Sequence, residues 1–340
     1  MFLKDRPPPR YVEALPRLAH RLPAGHPAAA AIPHQLHRSA SGFGGETWVD
    51  DILLRTPFPK PPTVIRDLYF GAPYPNQIDT LILTASYCLV LEIKNYSGIL
   101  HFSDGGRRME REHHDTGERQ GFDSPIVQLL AAMDDMRVLL NKIGCPLPVH
   151  GAVVLPHART LVRGDTGGVP VLYSRALRGF ISGLPARNVI AEEQVVALGH
   201  SILRHLAADR VIDFQKAFKY TAADVLPGVR CSSCGRPAVR VSERLHRCAR
   251  CSTEFSDGYK RALDDWFDFV KPEISVKECQ AFLGMKDRYA ARYVLQKHGF
   301  IADGSTNKRV YRKNKEPLAD TSGSFRCNPL DLVRVSLVRA

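Results

Sequence analysis

Apolar residues recur along the chain at two spacings, one typical of strands and one typical of helices. Residues 77–85 and 88–96 are rich in Ile, Leu, Val and Thr and are separated by residues 86–87, which predicts two consecutive strands of a hairpin. Further strands are predicted at 63–70, 149–155 and 169–173, and helices with one apolar face at 126–140 and 191–206. Strands and helices in this order predict a mixed α/β domain at residues 42–219.

The first 41 residues mix Pro, Ala, His and Arg without clear periodicity. They predict a loosely ordered N-terminal arm, with a short helix within it as the alternative. A short amphipathic helix is predicted to begin near Gly44, because apolar residues at 48–53 lie four positions apart. Glu46 falls in its first turn, where a carboxylate either caps the helix or contributes to a metal site.

Three charged residues interrupt the apolar hairpin: Asp79, Glu92 and Lys94. If residues 86–87 centre the loop, opposed residue numbers sum to 173, and Asp79 lies opposite Lys94. Because side chains alternate along a strand, the three charges then share one face, and a slip of one residue would move Asp79 to the other. Buried charges need a partner or a metal. The site suits Mg²⁺ or Mn²⁺ with a lysine that orients water, and the alternative is a structural Asp79–Lys94 ion pair.

Two Cys-x-x-Cys pairs lie near the middle of the C-terminal half, Cys231 with Cys234 and Cys248 with Cys251. Thirteen residues separate the pairs, enough for a short hairpin, and four thiolates in this arrangement fit a tetrahedral Zn²⁺ ion. We therefore predict a structural zinc ribbon at residues 220–258, and two unconnected thiol pairs are the alternative. The other four cysteines are scattered, which favours a reduced, metal-binding chain over a disulfide framework.

Residues 259–314 predict a helix-turn-helix followed by a β-hairpin wing. A capping box at 275–278 starts the first helix, Gly284 ends it, and a second helix at 287–298 ends before Gly299. From residue 286 to 340, twelve Lys and Arg face five Asp and Glu. This excess of positive charge predicts that the winged-helix-like module binds the phosphates of a nucleic acid. The alternative is a small helical domain with a solvated basic face. The predicted nucleic-acid contacts are Lys286, Arg288, Arg292, Lys297, Lys308, Arg309 and Arg312. Residues 315–340 are predicted to form a tail.

The overall charge agrees with a polyanionic partner. The formal net charge is +12 and the pI is about 9.4, which favours nucleic acid over an acidic small molecule. The longest apolar runs fall far short of the roughly 20 residues that a membrane-spanning helix needs, and the N-terminus lacks an apolar signal core. We expect a soluble, cytoplasmic protein without a membrane partner.

Five motifs in the first 215 residues together resemble the nuclease-related domain (NERD) family. That family is placed in the PD-(D/E)xK restriction-endonuclease-like superfamily, whose metal-dependent phosphodiesterase site is an Asp followed by Glu-x-Lys. The resemblance covers about residues 42–215. The motifs are Gly44-Gly45-Glu46, Ile65-Arg66-Asp67-Leu68, Gln77-Ile78-Asp79, Leu91-Glu92-Ile93-Lys94-Asn95-Tyr96-Ser97-Gly98 and Ser124-Pro125-Ile126-Val127-Gln128.

This resemblance implies a restriction-endonuclease-like mixed sheet flanked by helices. It implies that Asp79 and Glu92 ligate Mg²⁺ or Mn²⁺ and that Lys94 positions the attacking water. Glu46 would sit beside the metal, and Gln128 would reach in from the following helix. In this chain the His that usually follows Gln-Ile-Asp is replaced by Thr80.

Taken together, the predicted modules favour a metal-dependent endonuclease that acts on DNA, with the zinc ribbon and the winged-helix-like module holding the duplex. A non-catalytic nucleic-acid-binding regulator on the same scaffold is the second hypothesis, although the intact Asp79, Glu92 and Lys94 argue against it. RNA as the substrate is a third and is disfavoured by the winged module. A homodimer is an open alternative to a monomer.

Overall fold

The computed structural model describes residues 1–58, 60–71, 76–206, 212–242, 245–305 and 309–314, which fall into two compact units. The first unit contains residues 1–7 and 41–206, and the second contains residues 8–40 and 212–314. The strands of the first unit are β1 (Phe2–Lys4), β2 (Thr63–Phe70), β3 (Asn76–Leu83), β4 (Cys88–Ile93), β5 (Gly98–Ser103), β6 (Arg108–Glu112), β7 (Arg119–Asp123), β8 (Val149–Leu155), β9 (Thr160–Gly164) and β10 (Val171–Tyr173).

The remaining elements complete both units. The helices are α1 (Arg10–Arg21), α2 (Ile32–Leu54), α3 (Pro125–Lys142), α4 (Leu177–Ser182), α5 (Gln194–His205), α6 (Phe214–Phe218), α7 (Gly258–Phe269), α8 (Val276–Leu283) and α9 (Arg288–Lys297). The strands of the second unit are β11 (Ala238–Arg240), β12 (His246–Cys248), β13 (Glu254–Phe255), β14 (Ile274–Ser275), β15 (Ile301–Asp303) and β16 (Val310–Arg312). Within the described residues, no helix is long and apolar enough to cross a bilayer.

Two mixed sheets form the first unit. The larger has the strand order β1-β2-β3-β4-β8-β10, in which β2, β3 and β4 are antiparallel while β8 runs parallel to β4. The smaller has the order β7-β6-β5-β9, with β9 parallel to β5. Helix α3 begins as predicted, with the Ser124 hydroxyl accepting a hydrogen bond from the Ile126 amide and Pro125 in the first helical position. The predicted mixed α/β fold is confirmed.

Helices pack on both faces of the larger sheet, so each of its central strands is buried on two sides. Leu81, Leu83 and Val90 belong to the core that includes the buried residues of α3 and α5. Ile82 and Leu91 belong to the core on the opposite face, which includes the buried residues of α2 and α4. Alternate residues of β4, and of β3 from Leu81 to Leu83, therefore point to opposite helical layers, whereas Ile78 shares the first core with Leu81 and breaks the alternation earlier in β3.

The register of the β3–β4 hairpin differs by two residues from the predicted one. Thr80 lies opposite Leu91 and Leu83 opposite Cys88, so that opposed residue numbers sum to 171 and the loop is Thr84–Tyr87. The Thr84 hydroxyl accepts hydrogen bonds from the amides of Ser86 and Tyr87, which closes the four-residue turn one position earlier than predicted. A shift of two leaves every side chain on its predicted face.

The N-terminal segment differs from the predicted loosely ordered arm. Strand β1 pairs in parallel with β2, and α1 and α2 account for most of the rest. The α2 helix begins at Ile32, twelve residues before the predicted start at Gly44. Helix α1 buries Leu15 and Leu18 on one face, a spacing that the intervening Arg and Pro residues hide in the sequence.

The second unit contains two three-stranded sheets and five short helices among its described residues. Strands β11, β12 and β13 are antiparallel, and β14, β16 and β15 form the other sheet. Helix α8 has the predicted capping box, because the Ser275 hydroxyl accepts from the Glu278 amide and the Glu278 carboxylate accepts from the Ser275 amide. Gly284 ends this helix at a φ of 64°. Lys308 and the tail at 315–340 lie outside the described residues.

Candidate active site and four-cysteine cluster

The three charged residues of the hairpin lie close together: Asp79 is within β3, Glu92 is near the end of β4 and Lys94 directly follows that strand. The Asp79 and Glu92 side chains are buried, with 7% and 4% of their surfaces exposed. The ammonium of Lys94 lies 2.7 Å from Glu92 Oε1, and Asp79 Oδ2 accepts a hydrogen bond of 2.7 Å from the Ile93 amide. The ion pair thus joins Lys94 to Glu92, whereas the alternative interpretation had paired Lys94 with Asp79.

Burial makes these carboxylates resist ionisation. The pKa of Glu92 is raised to about 8 by desolvation and by the Asp79 charge, against the lowering effect of Lys94. The pKa of Glu46 is raised to about 7 by the same two causes, against the effect of Arg6. Desolvation also raises the pKa of Asp79, although Lys94 and the Ile93 amide act against it. A site of this kind gains free energy when a further cation binds.

Lys94 remains protonated in this setting. Desolvation lowers its pKa, but the charges of Glu92 and Asp79 raise it by more, so that the net shift is upward. An ammonium with a raised pKa donates hydrogen bonds and opposes negative charge, but it does not remove a proton at neutral pH. Lys94 therefore suits the orientation of water and the stabilisation of an anionic transition state.

Helix α2 packs on the face of the larger sheet opposite to α3. It brings Glu46 close to Asp79, whose charge raises the pKa of Glu46. The helix approaches closely because Gly45 has no side chain: a Cβ there would lie 2.8 Å from Asn95 Cβ and 2.9 Å from Pro156 Cγ. Asn95 also donates a hydrogen bond of 2.8 Å to the Ser41 carbonyl. Glu46 accepts a hydrogen bond of 2.7 Å from Arg6. The capping role considered for Glu46 is wrong, because α2 begins at Ile32 and Glu46 lies in its second half.

Two charged residues near these carboxylates, Arg6 and Asp67, received no site role in the sequence analysis, although Asp67 belongs to one of the quoted motifs. Arg6 comes from the segment that was predicted to be loosely ordered. Asp67 adopts a φ of 52° where the β2–β3 ladder skips the pair Asp67 and Asp79, and its Oδ1 accepts a hydrogen bond of 2.6 Å from Gln77. The Asp67 charge raises the pKa of both Glu46 and Asp79. A left-handed aspartate inside a strand costs about 1–3 kcal/mol, so surrounding contacts must enforce it.

The position of Gln128 neither supports nor contradicts its predicted contact with the carboxylates. It lies half-buried in the first turn of α3, a helix that packs on the larger sheet. Its backbone N–H donates a hydrogen bond to the Ser124 carbonyl at 3.3 Å. Within the described ranges, no hydrogen bond joins the Gln128 side chain to the carboxylates, so its reach into the site stays a prediction.

The donor set fits a hard divalent cation. Carboxylate oxygens are the ligands that Mg²⁺ and Mn²⁺ prefer, and one or two protein carboxylates with water usually suffice for Mg²⁺. Asp79 and Glu92 supply two such groups in a buried setting with raised pKa values. A bound cation would favour the ionised form of both groups.

The four cysteines of the two Cys-x-x-Cys pairs come together in the second unit. Their Sγ atoms all lie within 4.8 Å of one another, with 3.6 Å between Cys231 and Cys251 and 3.4 Å between Cys234 and Cys248. Tetrahedral Zn²⁺ with bonds of about 2.3 Å requires sulfurs roughly 3.8 Å apart. The cluster is therefore compatible with zinc.

Backbone geometry supports the same conclusion. The amides of Ser233 and Arg250 point at the sulfurs of Cys231 and Cys248, at 3.4 Å each. Such amide donors stabilise thiolates, which are the form that binds zinc. The flanking strands β11 and β12 form the predicted short hairpin between the two pairs, and β13 extends it. Four protein sulfurs close the coordination sphere, so the site would be structural.

The basic residues predicted to contact nucleic acid differ in their exposure to solvent and in whether they form ion pairs. Arg288, Arg292 and Lys297 lie exposed on α9, and no ion pair involves them within the part of the chain that the structure describes. Arg312 instead pairs with Glu273 and Asp303, and Lys286 lies 3.8 Å from Asp287. Arg309 is half-buried. The free positive charge of this group is therefore concentrated on α9.

Exposed aromatic rings accompany that charge. Tyr289 is 83% exposed and Tyr293 is 62% exposed, and both lie on α9. The Lys297 ammonium lies 5.8 Å from the centre of the Tyr293 ring. Basic side chains interleaved with exposed rings are typical of surfaces that contact nucleic acid, because rings stack on bases or sugars.

Comparison with known proteins gives one match. Residues 41–156 match the family model described as the nuclease-related domain. This segment contains Glu46, Asp79, Glu92, Lys94 and Gln128. No curated protein and no solved structure matches the chain.

Proposed function

Since residues 41–156 form a nuclease-related domain, we propose that the protein is a metal-dependent nuclease that hydrolyses phosphodiester bonds in DNA. The observation that carries this proposal is the buried constellation of Asp79, Glu92 and Lys94, with Lys94 2.7 Å from Glu92. A structural ion pair would need only one carboxylate, whereas this site has a second buried one whose pKa is also raised. A divalent cation and a phosphodiester would compensate that arrangement.

In the proposed mechanism, Asp79 and Glu92 would hold Mg²⁺ or Mn²⁺. A cation held there supplies Lewis-acid activation of the scissile phosphate and of water. Lys94 remains an ammonium, so it orients the attacking water and stabilises the negative charge that builds up on phosphorus. The Ile93 amide fixes the orientation of Asp79 through its hydrogen bond. Gln128 would add a polar contact from α3.

The test of this function is cleavage by the purified protein. Supercoiled plasmid, linear duplex, single-stranded DNA and RNA are incubated with Mg²⁺, with Mn²⁺ and with excess chelator. We expect nicked or linear plasmid with either metal and none with chelator, and weaker or absent RNA cleavage. Cleavage that persists in chelator would contradict the metal mechanism. Salt-dependent binding without cleavage of any substrate would favour the non-catalytic regulator.

We further propose that the second unit holds duplex DNA, with the four cysteines binding structural Zn²⁺ at residues 220–258 and a winged-helix-like module at residues 259–314. Helix α9 would make the main phosphate contacts, since Arg288, Arg292 and Lys297 are exposed there and have no acidic partner among the residues that the structure describes. The half-buried Arg309, the paired Lys286 and Arg312, and Lys308 outside the described residues would contribute less. Phosphate contacts of this kind position a duplex without reading its sequence.

Replacing both α9 arginines should weaken DNA binding without dependence on sequence. In Arg288→Ala/Arg292→Ala, the slope of log affinity against log salt should become less negative by about 2, because each lost phosphate contact removes about one released counterion. Fluorescence anisotropy with a labelled duplex at several salt concentrations measures the slope. Lys277→Ala, an exposed lysine on the neighbouring helix α8, is the control and should keep the wild-type slope. Equal slopes in all three proteins would remove α9 from the interface.

A further inference from the structure

Strands β2 and β3 turn together at Asp67 and Asp79, which face each other although the pairing of the two strands skips both. One pair of opposed residues lies on each side of this point, and all four side chains belong to the same core: Ile65 with Leu81, and Leu68 with Ile78. The two members from each strand are three positions apart, so a regular strand would direct them to opposite faces. The two strands therefore rotate together where the aspartates lie.

The left-handed backbone of Asp67 accounts for this rotation. Its φ is 52°, which interrupts the extended conformation on which the alternation of a strand depends. Among the non-glycine residues that the structure describes, Asp67 is the one within a strand that has a positive φ. Asp and Asn adopt this conformation far more readily than a β-branched residue does. The residue type at position 67 therefore suits the turn.

Side chains supply the hydrogen bonds that the skipped pair does not make with itself. The Lys4 ammonium donates to the Asp67 carbonyl at 2.5 Å, and the Arg6 guanidinium donates to the Asp79 carbonyl at 2.8 Å. The side-chain amide of Gln77 donates to the Asp67 carboxylate at 2.6 Å. Partly buried carbonyls without such donors would cost free energy. Three side chains thus hold the turn in place.

The turn directs the Asp79 carboxylate sideways, towards β4. Its Oδ2 accepts a hydrogen bond of 2.7 Å from the backbone N–H of Ile93, and the pairing of β3 with β4 stops one residue earlier, at Thr80 with Leu91. In a regular strand a side chain stands roughly perpendicular to the sheet and points away from the amides of the next strand. The sideways direction brings the Asp79 carboxylate to Glu92, the residue before Ile93.

We infer that Asp67 is a positioning residue whose left-handed backbone turns β3, so that the Asp79 carboxylate lies beside Glu92 as a metal ligand. This inference rests on the proposed function. Asp67 acts through Asp79, and its own carboxylate serves to hold the backbone conformation through the hydrogen bond from Gln77. Asparagine and glycine should therefore replace Asp67, because both adopt a positive φ, whereas a β-branched residue should not.

Three variants test this role, and all three remove the charge of Asp67, so that any effect of the charge is the same in each. Asp67→Asn keeps the shape and the tolerance of a positive φ, Asp67→Gly keeps only the tolerance, and Asp67→Val keeps the size but loses the tolerance. Mn²⁺ binding is measured by calorimetry without substrate. Single-turnover DNA cleavage is measured at a temperature at which thermal unfolding shows that each variant is folded.

The expected order follows from the backbone preference alone. Asp67→Gly should match Asp67→Asn within about threefold in Mn²⁺ affinity and in cleavage rate. Asp67→Val should bind Mn²⁺ at least about tenfold more weakly than Asp67→Asn and should cleave at least about tenfold more slowly, because the strained backbone relaxes and moves Asp79. A role confined to stability would lower the unfolding temperature of Asp67→Val and leave both measurements on the folded protein unchanged.

A second left-handed aspartate provides the matched control. Asp104 has a φ of 54° and is exposed in the turn between β5 and β6. Asp104→Val creates the same backbone conflict in the same unit, so it should lose stability but keep the wild-type Mn²⁺ affinity and cleavage rate. Gln77→Met keeps the test informative if Asp67→Val does not fold. It removes the hydrogen bond to Asp67 without changing any charge, and it should weaken Mn²⁺ binding at least about threefold.

The outcomes distinguish this inference from the proposed function. If wild type binds Mn²⁺ and Glu92→Gln does not, the metal site stands. Equal Mn²⁺ affinity and cleavage in Asp67→Val and Asp67→Asn would then overturn the inference alone, as would losses in Asp67→Gly as large as those in Asp67→Val. If Asp67→Val does not fold, wild-type Mn²⁺ affinity in Gln77→Met would overturn it. A wild-type protein without a Mn²⁺ site that depends on Glu92 would overturn the inference together with the metal mechanism.

Discussion

Glu92→Gln should reduce DNA cleavage by at least about a thousandfold while leaving the protein folded. Glutamine has the shape of glutamate, but its amide oxygen is uncharged and is a weaker metal ligand. Because a bound cation contributes several kcal/mol to the stabilisation of a phosphoryl transition state, weaker metal binding should slow cleavage strongly. Lys94 would also lose its partner at 2.7 Å. Single-turnover cleavage of a labelled duplex in Mg²⁺ measures the loss.

Stability should change little in the same variant. The pKa of Glu92 is raised to about 8 in the folded protein, which means that its ionised form is disfavoured by burial, so a neutral amide is tolerated there. Thermal unfolding of the metal-free protein checks this point. Glu110→Gln, an exposed residue of β6 in the same unit, is the matched control and should keep full activity. Cleavage by Glu92→Gln within tenfold of wild type would remove Glu92 from the reaction.

The proximity of Asp79, Glu92 and Lys94 could be predicted from the sequence, although the register could not. An even shift in register keeps residues of the same parity on the same side of a regular strand, so the predicted proximity tolerated a register error of two residues. The register depends on the turn, where the Thr84 hydroxyl captures two amides. Because Ser86 and Tyr87 separate the two apolar stretches, the sequence predicts them as the centre of the loop. The hydroxyl of Thr84, the first residue of the loop, accepts hydrogen bonds from both of their amides, and the centre lies one position earlier.

The contacts of Arg6 and the backbone conformation of Asp67 were beyond sequence reasoning for a different reason. The contact between Arg6 and Glu46 joins residues forty positions apart, and it exists only because β1 pairs with β2. The positive φ of Asp67 is imposed by its neighbours, since no glycine or turn signal marks the position. Both features arise from tertiary contacts, whereas hydrophobic spacing reports local structure. The N-terminal helices were missed because Pro and Arg interrupt the apolar pattern that α1 buries.

The cysteine cluster was the most predictable site, because its geometry is local. Each Cys-x-x-Cys pair sets two sulfurs within one tight turn, and thirteen intervening residues leave room only for a hairpin that brings the turns together. The structure adds the amide donors to Cys231 and Cys248, which spacing does not reveal. The cluster should be sensitive to the loss of a single cysteine, because a tetrahedral zinc ion needs both Cys-x-x-Cys pairs as ligands.

Cys248→Ser should abolish stoichiometric zinc binding and unfold the sheet formed by β11, β12 and β13. Cys248 is buried, and its sulfur accepts the amides of Arg250 and Cys251. Four-ligand structural zinc sites contribute about 10–16 kcal/mol of apparent binding free energy in small domains. The β11–β13 sheet is made of strands of two or three residues, too short to be stable without the ion.

Zinc content by mass spectrometry should fall from about one ion per chain to a small fraction of that value, as expected when one of four ligands is lost. Amide hydrogen exchange across residues 229–242 and 245–256 should become fast in the variant and in chelator-treated wild type, because the paired strands open together. Cys279→Ala is the matched control, since Cys279 is buried in α8 and its sulfur contacts the Ala291 carbonyl; this variant should keep its zinc even though it loses some stability. Wild-type zinc content and slow exchange in Cys248→Ser would show that the four sulfurs do not act as one site.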